Sequence, residues 1–81
     1  MTFTMRAPVS TDSALIKDSW TINFSESGVR LRLRGQIEPG QIVNVYLNQH
    51  PERCRVVSTN RGGVSDELFA ELEFIHPLPN P

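Results

Sequence analysis

At 81 residues, with 38% hydrophobic and 21% charged residues, the chain fits one domain, residues 1–81, with a modest core and no room for a second. Eight Lys and Arg against nine Asp and Glu give a net charge of -1, which argues against gripping DNA through its phosphates. The single cysteine, Cys54, excludes an internal disulfide or a multi-cysteine zinc site and fits a cytoplasmic setting; no apolar run approaches the roughly 20 residues of a membrane span, and residues 1–7 do not form a secretory leader.

Along the chain, apolar residues recur with period two rather than 3.6. Residues 2–9 are predicted as a strand with Phe3 and Met5 on one side, and residues 10–13 as a polar turn before Ala14, Leu15 and Ile16 resume the pattern. Trp20, Ile22 and Phe24 then fall on one face and Thr21, Asn23 and Ser25 on the other. The cleanest alternation is Val29, Leu31 and Leu33 against Arg30, Arg32 and Arg34, followed by Val43, Val45 and Leu47 against Asn44, Tyr46 and Asn48, and by the apolar run of residues 54–57. Residues 66–75 consist of good helix formers with Leu68, Leu72 and Ile75 on one helical stripe, yet Leu68, Ala70, Leu72 and Phe74 also alternate. A glycine pair before this short segment and Pro77 and Pro79 after it favour a last strand.

Turn residues separate these runs at Ser27-Gly28, Glu38-Pro39-Gly40, Gln49-His50-Pro51 and Asn60-Arg61-Gly62-Gly63, each offering a positive or fixed φ. This spacing predicts an all-β fold, a small antiparallel barrel of six strands, because an open sheet this short leaves long unpaired edges. The expected core is Val29, Leu31, Leu33, Val43, Val45, Val57, Leu72 and Phe74, with Arg30, Arg32 and Arg34 exposed.

For chemistry, the local signature is Asn23-Phe24-Ser25-Glu26-Ser27-Gly28. An amide and a hydroxyl two residues apart, followed by a turn that exposes backbone N–H groups, can hold phosphate oxygens or purine edges. The same residue types also make an ordinary polar strand end and hairpin turn. His50 and His76 lie beside prolines with no cysteine or carboxylate at ligand spacing, so no metal site is expected. Cys54 reads as a buried structural thiol, and Ser13, Ser19 and Ser65 lack acid–base partners. No catalytic constellation and no cofactor motif is present, so the chain does not read as an enzyme. The arginine face meets either solvent, an acidic partner, or the acidic run Asp66, Glu67, Glu71 and Glu73 if the two strands are neighbours. Stacking of single-stranded nucleic acid on Tyr46, Trp20 or Phe24 is disfavoured by the neutral charge and the few aromatics.

Residues 21–31 resemble the Asp/Asn-x-Ser-x-x-Gly core of PilZ domains, bacterial receptors for the second messenger cyclic di-GMP. Ile37-Glu38-Pro39-Gly40-Gln41-Ile42-Val43 is similar to that family's L-x-P-G-x-x-V hairpin, Cys54-Arg55-Val56-Val57 to its A-R-V-V strand, and Glu71-Leu72-Glu73-Phe74 to its closing strand. The resemblance covers residues 20–81 and implies a PilZ-like barrel acting as a regulatory binding module. Asn23, Ser25 and Gly28 would then wrap one side of cyclic di-GMP while upstream arginines hold the other. Such arginines form an Arg-x-x-x-Arg motif just before the first strand in ligand-binding members, and no such motif precedes the first strand here. Arg6 has Thr2 and Ser10 four residues away on either side, and Arg30, the other cation considered for the ligand, is also off the family's spacing. Ser58 replaces the tryptophan that usually follows the A-R-V-V strand, and Glu71 or a neighbour replaces the glycine of the closing strand. These departures imply weakened cyclic di-GMP binding, or an adaptor that binds a protein without nucleotide.

Overall fold

The computed structural model describes residues 4–62 and 66–75, and these form seven antiparallel strands with no helix. They are β1 (Val9–Ser10), β2 (Leu15–Ile16), β3 (Ser19–Phe24), β4 (Gly28–Arg34), β5 (Ile42–Leu47), β6 (His50–Arg61) and β7 (Glu67–Phe74). One sheet holds them in the order β2-β1-β5-β6-β7-β4-β3. Phe3, Gly63, Ser65 and His76 lie outside the described residues, as do Thr2, Pro77 and Pro79.

The expected barrel of six strands is corrected on both counts, because the described residues form seven strands and their sheet is not closed into a barrel. Residues 5–7 do lie along β3: Ala7 N–H donates to Ser19 O (2.8 Å), Thr21 N–H donates to Met5 O (2.9 Å), and Arg6 bridges Trp20. Pro8 then interrupts the pairing, since it has no N–H to donate, and the chain re-enters the sheet only at Val9. Of the predicted strand at residues 2–9, the described part keeps only the Arg6 bridge and Val9, while Ser10, expected in the turn, joins Val9 in β1, whose turn into β2 is tied by Thr11, which accepts from Ala14 N–H through Oγ1 at 3.0 Å.

β4 alternates as its sequence demands, with Val29, Leu31 and Leu33 buried and Arg30, Arg32 and Arg34 exposed. β4 pairs with β7 over its whole length, which decides residues 67–74 in favour of strand: seven consecutive cross-strand pairs outweigh helix propensity. A single core gathers these side chains with Ala7, Val9, Ile16, Ile37, Val43, Val45, Cys54, Val56, Leu68, Ala70 and Leu72; Leu47 and Phe74 pack against its rim.

One expected core assignment changes, and the buried face of β3, which alternation left open, is decided. In β3 the buried side chains are Ser19 and Thr21, while Trp20 and Ile22 are half exposed and Phe24 is exposed. The neighbouring backbone of residues 5–7 explains Thr21, whose Oγ1 accepts from Met5 N–H at 3.0 Å, a bond no apolar side chain provides. In β6 the register shifts between Val56 and Ser58, so Val57 is the extra residue of a β-bulge and stands 49% exposed, while Val56 takes its place inside.

The turns follow chemistry more specific than their composition. Gly40 has φ 92° in the turn Glu38-Pro39-Gly40-Gln41, closed by Gln41 N–H to Glu38 O at 3.1 Å. The β5–β6 hairpin turns at Asn48 and Gln49, both at positive φ (53° and 68°), so His50 and Pro51 belong to β6 rather than to the turn.

Candidate functional site

The β3–β4 hairpin carries the hexad of residues 23–28. A register shift between Thr21 and Asn23 makes Ile22 a bulge residue and sets Asn23 opposite Arg30 instead of continuing the alternation of Ser19 and Thr21. Ser25 N–H donates to Gly28 O (2.9 Å), Ser27 N–H donates to Ser25 Oγ (3.3 Å), and the two hydroxyls lie 3.2 Å apart. From the neighbouring strand, Phe74 N–H donates to Ser27 O at 2.9 Å and ties the turn to β7.

Gly28 is required here by proximity and not by a positive φ. A Cβ at this position would collide with the carbonyl oxygen of Leu72 and lie 3.2 Å from Cα of Glu73. Hydrogen on Cα lets β4 start flush against β7.

These elements enclose a concavity of about 450 Å³ lined by Asn23, Ser25, Ser27, Gly28, Val29, Arg30, Val57, Glu71, Leu72 and Glu73. The structure thus brings together four of the five residues that the sequence singles out: Asn23, Ser25, Gly28 and Arg30. Arg6 stands apart. Its guanidinium lies 5.1 Å from the centre of the Trp20 ring, a cation–π geometry, and it borders a separate groove of about 600 Å³ with Pro8, Leu15, Tyr46, Asn48 and Gln49. That groove is larger but more apolar, and its polar groups do not include the hexad.

Five lining residues lie outside the hexad and Arg30 and escape the sequence argument for the site: Val29, Val57, Glu71, Leu72 and Glu73. Val57 enters through its bulge. The two carboxylates arrive through the β4–β7 register, foreshadowed in sequence by the facing runs of arginines and acids. Arg30 Nη2 lies 3.9 Å from Glu71 Oε2, and Glu71 also accepts from Ser58 Oγ at 3.4 Å. Arg55 Nη1 donates to Glu73 Oε1 at 3.2 Å. Farther along the face, Arg32 Nε is 3.6 Å from Glu67 Oε2, and Arg34 Nε is 3.8 Å from Asp18 Oδ2. The arginines of β4 are therefore balanced by neighbouring carboxylates, and at the concavity Arg30 faces Glu71 while Glu73 pairs with Arg55.

Nothing in the concavity resembles a nucleophile with a base. Cys54 is fully buried on another part of β6, and burial, with a smaller contribution from the Glu52 carboxylate, pushes its thiol up to about 12. His50 Nε2 contacts Glu52 Oε2 at 3.2 Å on the exposed start of β6. Among the described residues no group of three or more His, Cys, Asp or Glu could hold a metal ion, and no helix is long and apolar enough to cross a membrane.

No curated protein and no solved structure matches the chain significantly. The sequence profile of the PilZ domain matches residues 1–81, the whole chain. With the hexad on a hairpin and the Pro-Gly turn leading into β5, the chain belongs to the PilZ domain family.

Proposed function

We propose that the chain is a regulatory binding module in which Asn23, Ser25 and Gly28 form one side of a cyclic di-GMP site, and that residues 1–81 by themselves hold this ligand weakly. The observation that carries the reading is the convergence of the three hexad residues with Arg30 on one concavity, at a hairpin held flush against β7 because residue 28 lacks a side chain. The amide of Asn23 and the hydroxyl of Ser25 supply hydrogen bonds to base or phosphate. The weakness follows from charge. A dianionic dinucleotide is held by charge-assisted contacts of about 1.5–3 kcal/mol each, and here one arginine, already facing Glu71, stands where a pair is needed. The reading is of a bacterial, cytoplasmic, non-enzymatic domain.

Titration calorimetry with cyclic di-GMP at moderate salt tests it. The expected dissociation constant is weaker than about 1 μM, with residual heat abolished in the Asn23→Ala, Ser25→Ala double variant. Submicromolar binding, or binding that survives the double substitution, overturns it. The balanced charge of the concavity favours one alternative, an adaptor that binds a protein without nucleotide. Undetectable binding throughout would move the chain to that class.

A further inference from the structure

The carboxylates of Glu71 and Glu73 occupy the same concavity as the proposed ligand-binding residues. We infer that Glu71 and Glu73 are specificity-determining residues that suppress anion binding in this concavity; the inference rests on reading the hexad face as the ligand side.

Three observations converge. First, both glutamates line the concavity together with Asn23, Ser25, Gly28 and Arg30. Their side chains are 52% and 45% exposed, so their charges meet an incoming ligand rather than being shielded from it. Second, each is held in place: Glu71 by Ser58 Oγ and by Arg30 opposite it in the β4–β7 register, Glu73 by Arg55 opposite it in the β6–β7 register. A phosphate seeking Arg30 must displace Glu71 from the guanidinium and still sit beside its charge. Third, Gly28 pairs with Glu73 in the register, so the last hexad residue lies directly beside a residue that carries a carboxylate. Two like charges about 6 Å apart, at an effective dielectric between protein surface and water, repel enough to cost about tenfold in affinity before the arginine partner of each carboxylate is counted.

The test is nuclear magnetic resonance titration of the parent, the Glu71→Gln, Glu73→Gln double variant, and Asp12→Asn as a charge control on the exposed β1–β2 turn. Glutamine keeps the shape and the hydrogen-bonding capacity while removing the charge. Each protein is titrated with cyclic di-GMP and separately with sodium pyrophosphate. The expected result is at least tenfold tighter binding of cyclic di-GMP by the double variant, with amide shifts at Asn23, Gly28 and Arg30, and no gain for Asp12→Asn. Tighter pyrophosphate binding at the same amides without any cyclic di-GMP binding would support the inference while sinking the nucleotide reading. Cyclic di-GMP affinity unchanged by the double substitution, but lost with Asn23→Ala and Ser25→Ala, would overturn the inference and leave that reading intact. A gain equal to that of Asp12→Asn, or no binding of either probe by any of the proteins, would also overturn it.

Discussion

Gly28 meets the carbonyl of Leu72 so closely that a methyl group cannot be placed between them, and this contact joins the start of β4 to β7 beneath the hexad turn. Because the obstacle is backbone on both sides, neither partner can turn aside.

The first prediction concerns that contact. Gly28→Ala is expected to lower stability by about 2 kcal/mol, in the range of overpacking, or roughly 10 °C in melting temperature for a domain of this size. Gly40→Ala has open space around its new methyl and is expected to lose only about 1 kcal/mol, from the φ of 92° alone. Urea melts of both variants check the order, and Gly28→Ala melting with the parent would contradict the close approach.

Ser19 and Thr21 give predictions of opposite sign. Both are small, polar and buried on β3. Thr21 Oγ1 serves Met5 N–H, so Thr21→Val strands that donor and is expected to cost about 1–2 kcal/mol. Ser19 Oγ has no hydrogen-bond partner among the described residues, so Ser19→Ala removes a desolvated hydroxyl and is expected to raise stability by about 1 kcal/mol. Denaturant midpoints decide both, and a destabilising Ser19→Ala would mean that its hydroxyl is satisfied.

Substitution to aspartate separates inside from outside. Leu31→Asp places a charge in a site with no exposure and is expected to leave the domain unfolded. Val57→Asp, at the bulge, is expected to fold with stability within about 1 kcal/mol of the parent. Circular dichroism of the pair checks the assignment; collapse of the Val57 variant would restore that residue to the core.

Cys54 carries a pH prediction. Its thiol rises from an ordinary 9.0 to about 12 in the folded protein, first through burial and then through the Glu52 carboxylate. Between these values the unfolded chain has released the proton and the folded chain retains it, so the unfolded state binds fewer protons and stability falls as pH rises. The contribution is complete below about pH 9 and is lost on approaching 12, a slope that Cys54→Ala should reduce. Native protein at pH 8 is also expected to resist alkylation by iodoacetamide, with labelling only after denaturation.

What the sequence determines by itself is local and periodic. The Val-Arg-Leu-Arg-Leu-Arg alternation of β4 makes one face inside and one outside, since a slip of one residue would bury three guanidiniums. Pro39-Gly40 fixes its turn, and the hexad identifies the hairpin that holds Asn23, Ser25 and Gly28. Alternation cannot say which face of β3 is covered, because Trp20 and Ile22 are apolar enough for a core. The backbone of residues 5–7, laid along β3, decides in favour of Thr21 by giving its Oγ1 a hydrogen bond at close range, and Ser19 follows on the same face. Nor does composition reveal a bulge: Val57 reads like Val56, and only the pairing of Val56 with Leu72 and of Ser58 with Glu71 leaves it over as the extra residue. The glutamates reach the concavity for the same reason. Their place depends on which strand lies beside β4, a contact between residues some 40 positions apart in the chain that no local pattern specifies.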